Sequence, residues 1–161
     1  MPIIKYQRSL YIILFFCIFA LISAYYIQYI LGYQPCNLCL IERLPYISAI
    51  IIIILCLYLK KFEKISLIFL SLIFFFATII SSYHFGIEQG YIKESFVCDL
   101  NAGEEFLSPE ELLTKLKEKT VSCKDVSFKI FGLSLATINI IISLILSTIT
   151  MKYFINYEKN R

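Results

Sequence analysis

Two cysteines that stand two residues apart are the sharpest chemical feature of this sequence. Cys36 and Cys39 lie in the segment P-C-N-L-C at residues 35–39. The spacing permits a small, reversible disulfide ring whose surroundings can favour the thiolate of one sulfur, as thiol–disulfide exchange requires. Half of a zinc site and a structural staple are the alternative interpretations. The chain has no second C-x-x-C and a single histidine, His84, which favours redox chemistry over metal binding.

Cys98 and Cys123 form a second candidate pair, with twenty-four residues between them. A disulfide between these cysteines would close a loop worth about 3–4 kcal/mol in the chain-entropy model. By themselves they therefore fit a structural staple on an extracellular loop. A second disulfide on the same membrane face as the C-x-x-C pair can also exchange with it through mixed disulfides, so both interpretations stand.

Two further side chains could take part in this chemistry. Arg43 follows Cys39 by four residues, so the two share one face if a helix begins near Cys39. A permanent cation there would lower the cost of a thiolate or stabilise a reduced, anionic cofactor, but an arginine at a helix end also binds phosphate headgroups. His84 could accept a proton or hydrogen-bond a ligand at the membrane edge, or cap its helix.

Electrons that enter these thiols must leave to an acceptor. The sequence has no G-x-G-x-x-G motif for a flavin or nicotinamide and no C-x-x-C-H motif for covalent haem. A lipid-soluble acceptor at the bilayer surface requires no such motif. A membrane quinone is therefore the simplest cofactor for this chain.

Four apolar blocks must position these residues. They cover about residues 10–31, 44–59, 65–83 and 130–149, and the chain is 59% hydrophobic but only 17% charged. Membrane-spanning helices need about twenty apolar residues. The pattern predicts an all-α integral membrane protein, a single domain over residues 1–161 built as a bundle of four transmembrane helices. The net charge of +3, without a basic patch, gives no sign of nucleic-acid binding.

Three residues within the apolar blocks need a different explanation. Cys17 and Cys56 lie mid-span, where a thiolate is costly, so we expect small core residues and not redox partners. Asn139 lies within the fourth block, where we expect it to hydrogen-bond a neighbouring helix or to line a polar pocket.

The distribution of lysine and arginine predicts how the helices cross the membrane. The two termini and the connection at residues 60–64 hold eight basic residues and two acids. The connection at residues 32–43 has one of each, and the long connection at residues 84–129 has six lysines and nine acids. Because basic segments stay inside, both termini should be cytoplasmic and both cysteine-bearing loops should face outward, toward the periplasm.

The long outer connection contains one recognisable helix signal. Residues 108–111 read S-P-E-E, a capping serine followed by proline and then glutamate at the third helical position. Leu112, Leu113 and Leu116 then fall on one face. This pattern predicts a short amphipathic helix that lies on the bilayer surface or packs on the bundle.

In their order and spacing, these features resemble the bacterial disulfide bond formation protein B (DsbB) family over nearly the whole chain. Each piece alone is modest, whereas together they are specific. The residues that carry the resemblance are P-C-N-L-C-L-I-E-R at 35–43, the Tyr83-His84 pair, Cys98, Cys123, and F-G-L-S-L-A at 131–136.

The resemblance implies a quinone-dependent protein-disulfide oxidoreductase of the bacterial inner membrane. Proteins of this family reoxidise DsbA, a soluble periplasmic thiol oxidase, and reduce ubiquinone or menaquinone. Carried over by position, Cys98 would be attacked by the reduced DsbA-like partner. Cys123 would pair with Cys98 at rest and help to resolve the mixed disulfide, in one route through a bond to Cys36.

The resemblance also implies where the cofactor binds. Cys39 would be the sulfur nearest the quinone ring, Arg43 would support quinone binding and reactivity, and His84 would lie near the quinone. The helix near residues 112–117 would correspond to the membrane-associated segment of the family. Phe128 stands where the family often has tryptophan, and the chain has no tryptophan.

The sequence leaves two other functions open. One is a membrane scaffold whose outer loops are stapled by disulfides, and the other is a metal-handling protein that uses four thiolates. It also leaves open which quinone is used, whether the partner is a general oxidase or a dedicated substrate, which cysteines pair at rest, and the oligomeric state.

Overall fold

The computed structural model of the protein describes residues 2–59, 63–93, 98, 122–124, 128–130 and 132–159. Helices account for most of these residues. In chain order they are α1 Pro2–Tyr29, α2 Asn37–Ile41, α3 Leu44–Leu59, α4 Glu63–Glu88 and α5 Leu135–Lys159. A two-stranded antiparallel hairpin, β1 Lys129–Ile130 and β2 Leu133–Ser134, precedes α5.

Four helical segments are long and apolar enough to cross a membrane. In their most apolar stretches only 17% to 33% of the residues are buried inside the protein, so most of the apolar surface faces outward. Such a surface is stable in lipid, where helices satisfy every backbone hydrogen bond internally. The predicted helical four-span membrane fold is therefore confirmed, with one short hairpin added. The spans are Gln7–Tyr29, Asn37–Leu59, Lys64–Glu88 and Leu135–Asn156.

The second span is longer than its apolar block. Helix α3 has sixteen residues, but α2 precedes it across a tight turn, and together they make a span of twenty-three. In the turn, the backbone N–H of Arg43 bonds the carbonyl of Leu40 instead of continuing the regular helix. Pro45, the second residue of α3, has no N–H and so fits this position. The C-x-x-C pair consequently lies at the start of the span.

Helix α4 extends one turn beyond the predicted apolar block. The block ends at residue 83, but Ile87 is buried and extends the apolar face to Glu88. Gly90 then stops the helix with a φ of +75°, a conformation that glycine adopts without strain. His84 therefore lies within the helix and not at its end.

The fourth span begins later than predicted. The apolar block starts near residue 130, but residues 129–134 form the hairpin, which turns at Gly132 with a φ of +82°. Ser134 then caps α5 by accepting a hydrogen bond from the backbone N–H of Thr137 at 3.2 Å. The hairpin thus fixes where the last helix starts.

Small and hydroxyl-bearing side chains join α4 to α5. Ser71 and Ser147 exchange hydrogen bonds, each hydroxyl donating to the other's backbone carbonyl, at 3.5 and 3.2 Å. Small residues let membrane helices approach closely. Buried small residues on these two helices include Ala77, Ser81, Ala136 and Ser143.

A second layer of packing closes the middle of the bundle. Ile13 of α1, Ile53 of α3, Phe74 of α4 and Leu146 of α5 belong to one buried cluster. Cys17 and Cys56 belong to the same cluster, at 0% and 4% exposure, which confirms that they are core residues.

The predicted amphipathic helix at residues 108–119 lies outside the described residues, and the orientation across the membrane stays a prediction.

We expect Phe74→Ala to destabilise the bundle by up to about 3 kcal/mol, the lower end of the range for truncating a core phenylalanine. The ring is fully buried and meets Tyr46 edge-on, with centroids 6.2 Å apart. Lipid supplies no hydrophobic transfer term, so the cost arises from lost packing. Thermal unfolding in detergent, followed by a dye that reacts with newly exposed Cys17 and Cys56, measures the effect.

The matched control is Phe69→Ala on the same helix, because Phe69 is 54% exposed on the lipid-facing surface. This variant should unfold close to the wild-type midpoint. Equal losses in the two variants would contradict the assignment of Phe74 to the core.

Candidate redox site

Cys36 caps the short helix α2. Its backbone is extended, with φ −74° and ψ 170°, and its Sγ accepts a hydrogen bond from the backbone N–H of Cys39 at 3.3 Å. One helical turn brings the Cys39 Sγ to 2.7 Å from the Cys36 Sγ, and both are thiols in this structure. Cys36 is buried whereas Cys39 is partly exposed. The two sulfurs therefore have different surroundings.

His84 reaches the C-x-x-C pair from helix α4. Its Nε2 lies 3.5 Å from the Cys36 Sγ, and its Nδ1 lies 2.8 Å from Oε1 of Glu42. A carboxylate only accepts hydrogen bonds, so the Nδ1 of His84 carries a hydrogen and the Nε2 faces the sulfur. All three side chains are buried. The arrangement is a sulfur–imidazole–carboxylate chain in which a proton can move between the thiol and the ring.

Glu42 also connects this chain to helix α5. Its Oε2 accepts a hydrogen bond from Nδ2 of Asn139 at 2.9 Å, and the same amide donates to the hydroxyl of Ser81 at 2.7 Å. The Oδ1 of Asn139 accepts from the hydroxyl of Tyr46. The expectation that Asn139 hydrogen-bonds between helices is confirmed, because this network joins three spans.

Glu88 is a second buried acid, one helical turn beyond His84. Its Oε1 lies 3.8 Å from the His84 Nε2, and its side chain is 6% exposed. Within the described part of the chain, its Oε2 has no hydrogen-bond partner. An unsatisfied buried carboxylate oxygen is costly, so Glu88 marks a place where the described residues leave a polar atom without a partner.

Cys98 and Cys123 form a disulfide, with their Cα atoms 5.7 Å apart. Both are buried, and they pack in one cluster with Cys36 and Ile87, with Cys39 at its edge. All four loop cysteines therefore lie at the same end of the bundle.

Arg43 points toward helix α1. Its Nη1 donates to Oε1 of Gln28 at 2.6 Å, and its guanidinium carbon lies 4.9 Å from the centroid of the Tyr25 ring. None of the described hydrogen bonds joins Arg43 to a cysteine. Its role toward a thiolate or a cofactor stays a prediction.

The surroundings strongly favour the thiolate of Cys36. Its pKa falls from the ordinary 9.0 to about 5, first because the Cys39 thiol donates a hydrogen bond to it. Burial opposes this shift, and the hydrogen bond and charge of His84 support it. Cys36 is therefore the sulfur better placed to act as a thiolate.

Sequence reasoning did not identify two of the residues that build this site. The sequence did carry a signal for Glu42, which is an acidic residue three positions after Cys39 at the start of an apolar span. Glu88 follows His84 by four residues and so shares its helix face.

The donor atoms of Cys36, Cys39 and His84 all lie within 4.8 Å of one another. This set can perform thiol exchange and can also bind a soft cation.

We expect Cys36 in the reduced protein to be alkylated at a rate that is constant near neutral pH and falls by half near pH 5, because only the thiolate reacts. His84→Gln removes a charge that stabilises this thiolate, so its midpoint should move upward, toward 9.0. Iodoacetamide labelling, resolved by mass spectrometry for each cysteine, measures the midpoint. Cys17→Ala should leave it unchanged, and a wild-type midpoint near 9 would disprove the arrangement.

Comparisons with known proteins agree with this geometry. The family model described as disulfide bond formation protein DsbB matches residues 6–152. An uncharacterized protein of Rickettsia prowazekii (strain Madrid E) is 28% identical over 144 residues, which cover 88% of this chain and 84% of that protein. With four membrane-spanning helices and a buried thiol site, the chain belongs to the DsbB family of thiol oxidoreductases that act in disulfide bond formation.

Proposed function

We propose that this protein reoxidises a periplasmic DsbA-like thiol oxidase and passes the electrons through Cys98/Cys123 and Cys36/Cys39 to a membrane quinone. The observation that carries the proposal is that both cysteine pairs pack in one cluster at one end of a four-span bundle. The charge distribution of the connections supports an inner-membrane protein whose cysteine loops face the periplasm.

The first exchange takes place at the Cys98–Cys123 disulfide. A thiolate of the reduced partner attacks the Sγ of Cys98, a bond to the partner forms, and Cys123 leaves as a thiolate. The second thiol of the partner then attacks the mixed disulfide. The oxidised partner leaves with its own disulfide closed, and both Cys98 and Cys123 are reduced.

The second exchange moves the electrons to the C-x-x-C pair. Cys123 attacks Cys36 of an oxidised Cys36–Cys39 couple, and Cys39 leaves as a thiolate. Cys98 then attacks Cys123, which restores the Cys98–Cys123 disulfide and leaves Cys36 and Cys39 reduced. Two electrons and two protons have moved from the partner to this couple.

The couple must then be oxidised again. Closing the Cys36–Cys39 disulfide, with the Cys36 thiolate as the attacking sulfur, would release an electron pair at Cys39, and a quinone held beside Cys39 would accept it. Cys36 suits the attack because its thiolate is stabilised by the Cys39 thiol and by His84. The proton of Cys39 leaves with the electrons, together with the proton that the His84 ring holds against the Cys36 thiolate.

The residues present fit a quinone. A quinone supplies a two-electron, two-proton acceptor that is dissolved in the membrane. Cys39 is partly exposed, and its neighbours Leu40 and Leu44 are exposed on the apolar surface, which gives a lipid-soluble molecule access. A guanidinium has five N–H donors, and the hydrogen bond to Gln28 uses one of those of Arg43, so another can bind a carbonyl oxygen.

A membrane scaffold with stapled loops is the competing function. The Cys98–Cys123 disulfide alone would fit a staple. A staple gains nothing from the dithiol beside it, in which a buried histidine contacts one sulfur. This feature favours the oxidoreductase.

We expect Cys39→Ser to abolish quinone-dependent oxidation of a reduced DsbA-like protein, because the electron pair then has no sulfur from which to depart. The measurement is loss of partner thiols, followed in membranes that contain the variant at the wild-type level. Cys17→Ala, which changes a core cysteine, is the matched control and should retain turnover. A scaffold would instead lose stability without any effect on partner oxidation.

We expect Cys123→Ser to accumulate a mixed disulfide between Cys98 and the physiological partner, because the free Cys98 thiol can attack the disulfide of the oxidised partner and no Cys123 is present to displace that partner by closing the Cys98–Cys123 bond. Non-reducing electrophoresis and mass spectrometry of the trapped adduct identify the attached protein. The finding that Cys36 and Cys39 are permanently reduced in growing cells would refute the proposed relay.

A further inference from the structure

Three side chains at the redox site present metal-binding atoms to one another. The sulfurs of Cys36 and Cys39 and a ring nitrogen of His84 all lie within 4.8 Å of one another. Zinc binds thiolate sulfur at about 2.3 Å, so a tetrahedral ion would hold two sulfurs about 3.7 Å apart. Their present separation is 2.7 Å. The two side chains therefore need to separate by only about 1 Å to hold such an ion.

The histidine is already oriented for this task. Its Nδ1 is hydrogen-bonded to Glu42 at 2.8 Å, so the Nε2 is the nitrogen that faces the sulfurs. Histidines that bind metals usually donate their second ring N–H to a carboxylate or a carbonyl, which fixes the ring and makes it more basic. Asn139 holds the other oxygen of Glu42, at 2.9 Å. The ring is thus fixed from two helices.

A candidate fourth donor stands beside His84, outside the group of three that lies within 4.8 Å. The Oε1 of Glu88 lies 3.8 Å from the His84 Nε2. The side chain of Glu88 is 6% exposed, and its Oε2 has no hydrogen-bond partner among the described residues. A cation bound next to it would give this oxygen a partner. Two sulfurs, one imidazole and one carboxylate make a donor set that suits zinc.

We propose that the reduced Cys36–Cys39 pair, together with His84 and Glu88, is a binding site for a thiophilic divalent cation such as Zn²⁺. Binding displaces the protons still carried by the two thiols and by the Nε2 of His84, and no electron moves. Both sulfurs are then occupied as ligands and cannot form a disulfide. The occupied site therefore holds the pair in its reduced form.

The site exists in only one redox state. Closing the Cys36–Cys39 disulfide removes both thiolates, which are the strongest ligands, and the cation must leave. Cation binding and oxidation of the pair are therefore mutually exclusive. The inhibition of turnover that this implies rests on the function proposed above, whereas the binding itself does not.

Zinc titration of the full-length protein in detergent tests the site. The protein is reduced, freed of reductant under anaerobic conditions, and titrated against a competing chelator. We expect one Zn²⁺ per reduced chain and none in the protein whose thiols have been oxidised. Substitution by Co²⁺ should give the absorption of a tetrahedral ion with thiolate ligands, which activity measurements alone would not show.

Variants locate the ligands. Cys36→Ser should abolish stoichiometric binding, and His84→Gln and Glu88→Gln should each weaken it. Glu42→Gln, which alters the group that orients His84 and leaves the proposed ligands in place, should weaken binding by about 10- to 100-fold. A Cys98→Ala/Cys123→Ala double variant keeps all four proposed ligands and should bind zinc as the wild type does. Unfolding midpoints of each variant separate lost ligands from lost structure.

Two results would overturn the site: equal zinc binding by oxidised and reduced protein, or wild-type affinity in both Cys36→Ser and His84→Gln. Loss of binding in the Cys98→Ala/Cys123→Ala variant would instead assign the cation to four thiolates and would also reject the proposed ligand set. Quinone-dependent oxidation, measured separately with a chelator present, tests the proposed function independently. Saturating zinc should stop that oxidation, and chelator should restore it.

Discussion

The carboxylate of Glu42 accepts hydrogen bonds from two helices while its own backbone belongs to the turn between α2 and α3. A buried carboxylate is tolerated only when its oxygens are satisfied, so His84 on α4 and Asn139 on α5 must both reach it. That requirement sets how the ends of three helices meet. It also sets the chemistry, because the ring nitrogen of His84 that is not bound to Glu42 is the one that faces Cys36. Packing and reactivity therefore depend on the same contact.

The unequal surroundings of the two sulfurs follow from this contact. Cys36 is buried against His84, whereas Cys39 stands at the partly exposed edge of the same helical turn. Burial alone would raise the pKa of Cys36 and suppress its thiolate. The hydrogen bonds from Cys39 and His84 outweigh that penalty. The nucleophilic sulfur of Cys36 is therefore buried, whereas the sulfur of Cys39 lies near the lipid. In the proposed relay, this arrangement lets electrons leave from Cys39 into the membrane.

The sequence predicted the spans and the reactive pair because both leave local signals. Long apolar blocks identify membrane helices, and C-x-x-C spacing identifies an exchangeable dithiol. The contacts among Cys36, Glu42 and His84 leave no such signal, since they join residues more than forty positions apart through the way α4 packs. The sequence also did not show which way the Arg43 side chain points. Its position relative to Cys39 follows from helix geometry, but its contacts with Gln28 and Tyr25 depend on where α1 packs. Two helix ends differ from their predicted positions for local reasons: Gly90 ends α4, and the hairpin delays the start of α5.

The features that make the pair reactive also make it a set of ligands for soft cations. A stabilised thiolate, a second sulfur within one turn and a fixed imidazole nitrogen serve both purposes, because nucleophilic attack and metal binding each need an available sulfur electron pair. Redox state decides between them. As long as the acceptor keeps Cys36 and Cys39 joined, neither sulfur offers a thiolate and no cation is bound. In the proposed relay, the reduced pair persists when oxidised acceptor is scarce, and the proposed cation binding then becomes possible. A supply of acceptor would thus protect the site that delivers electrons to it.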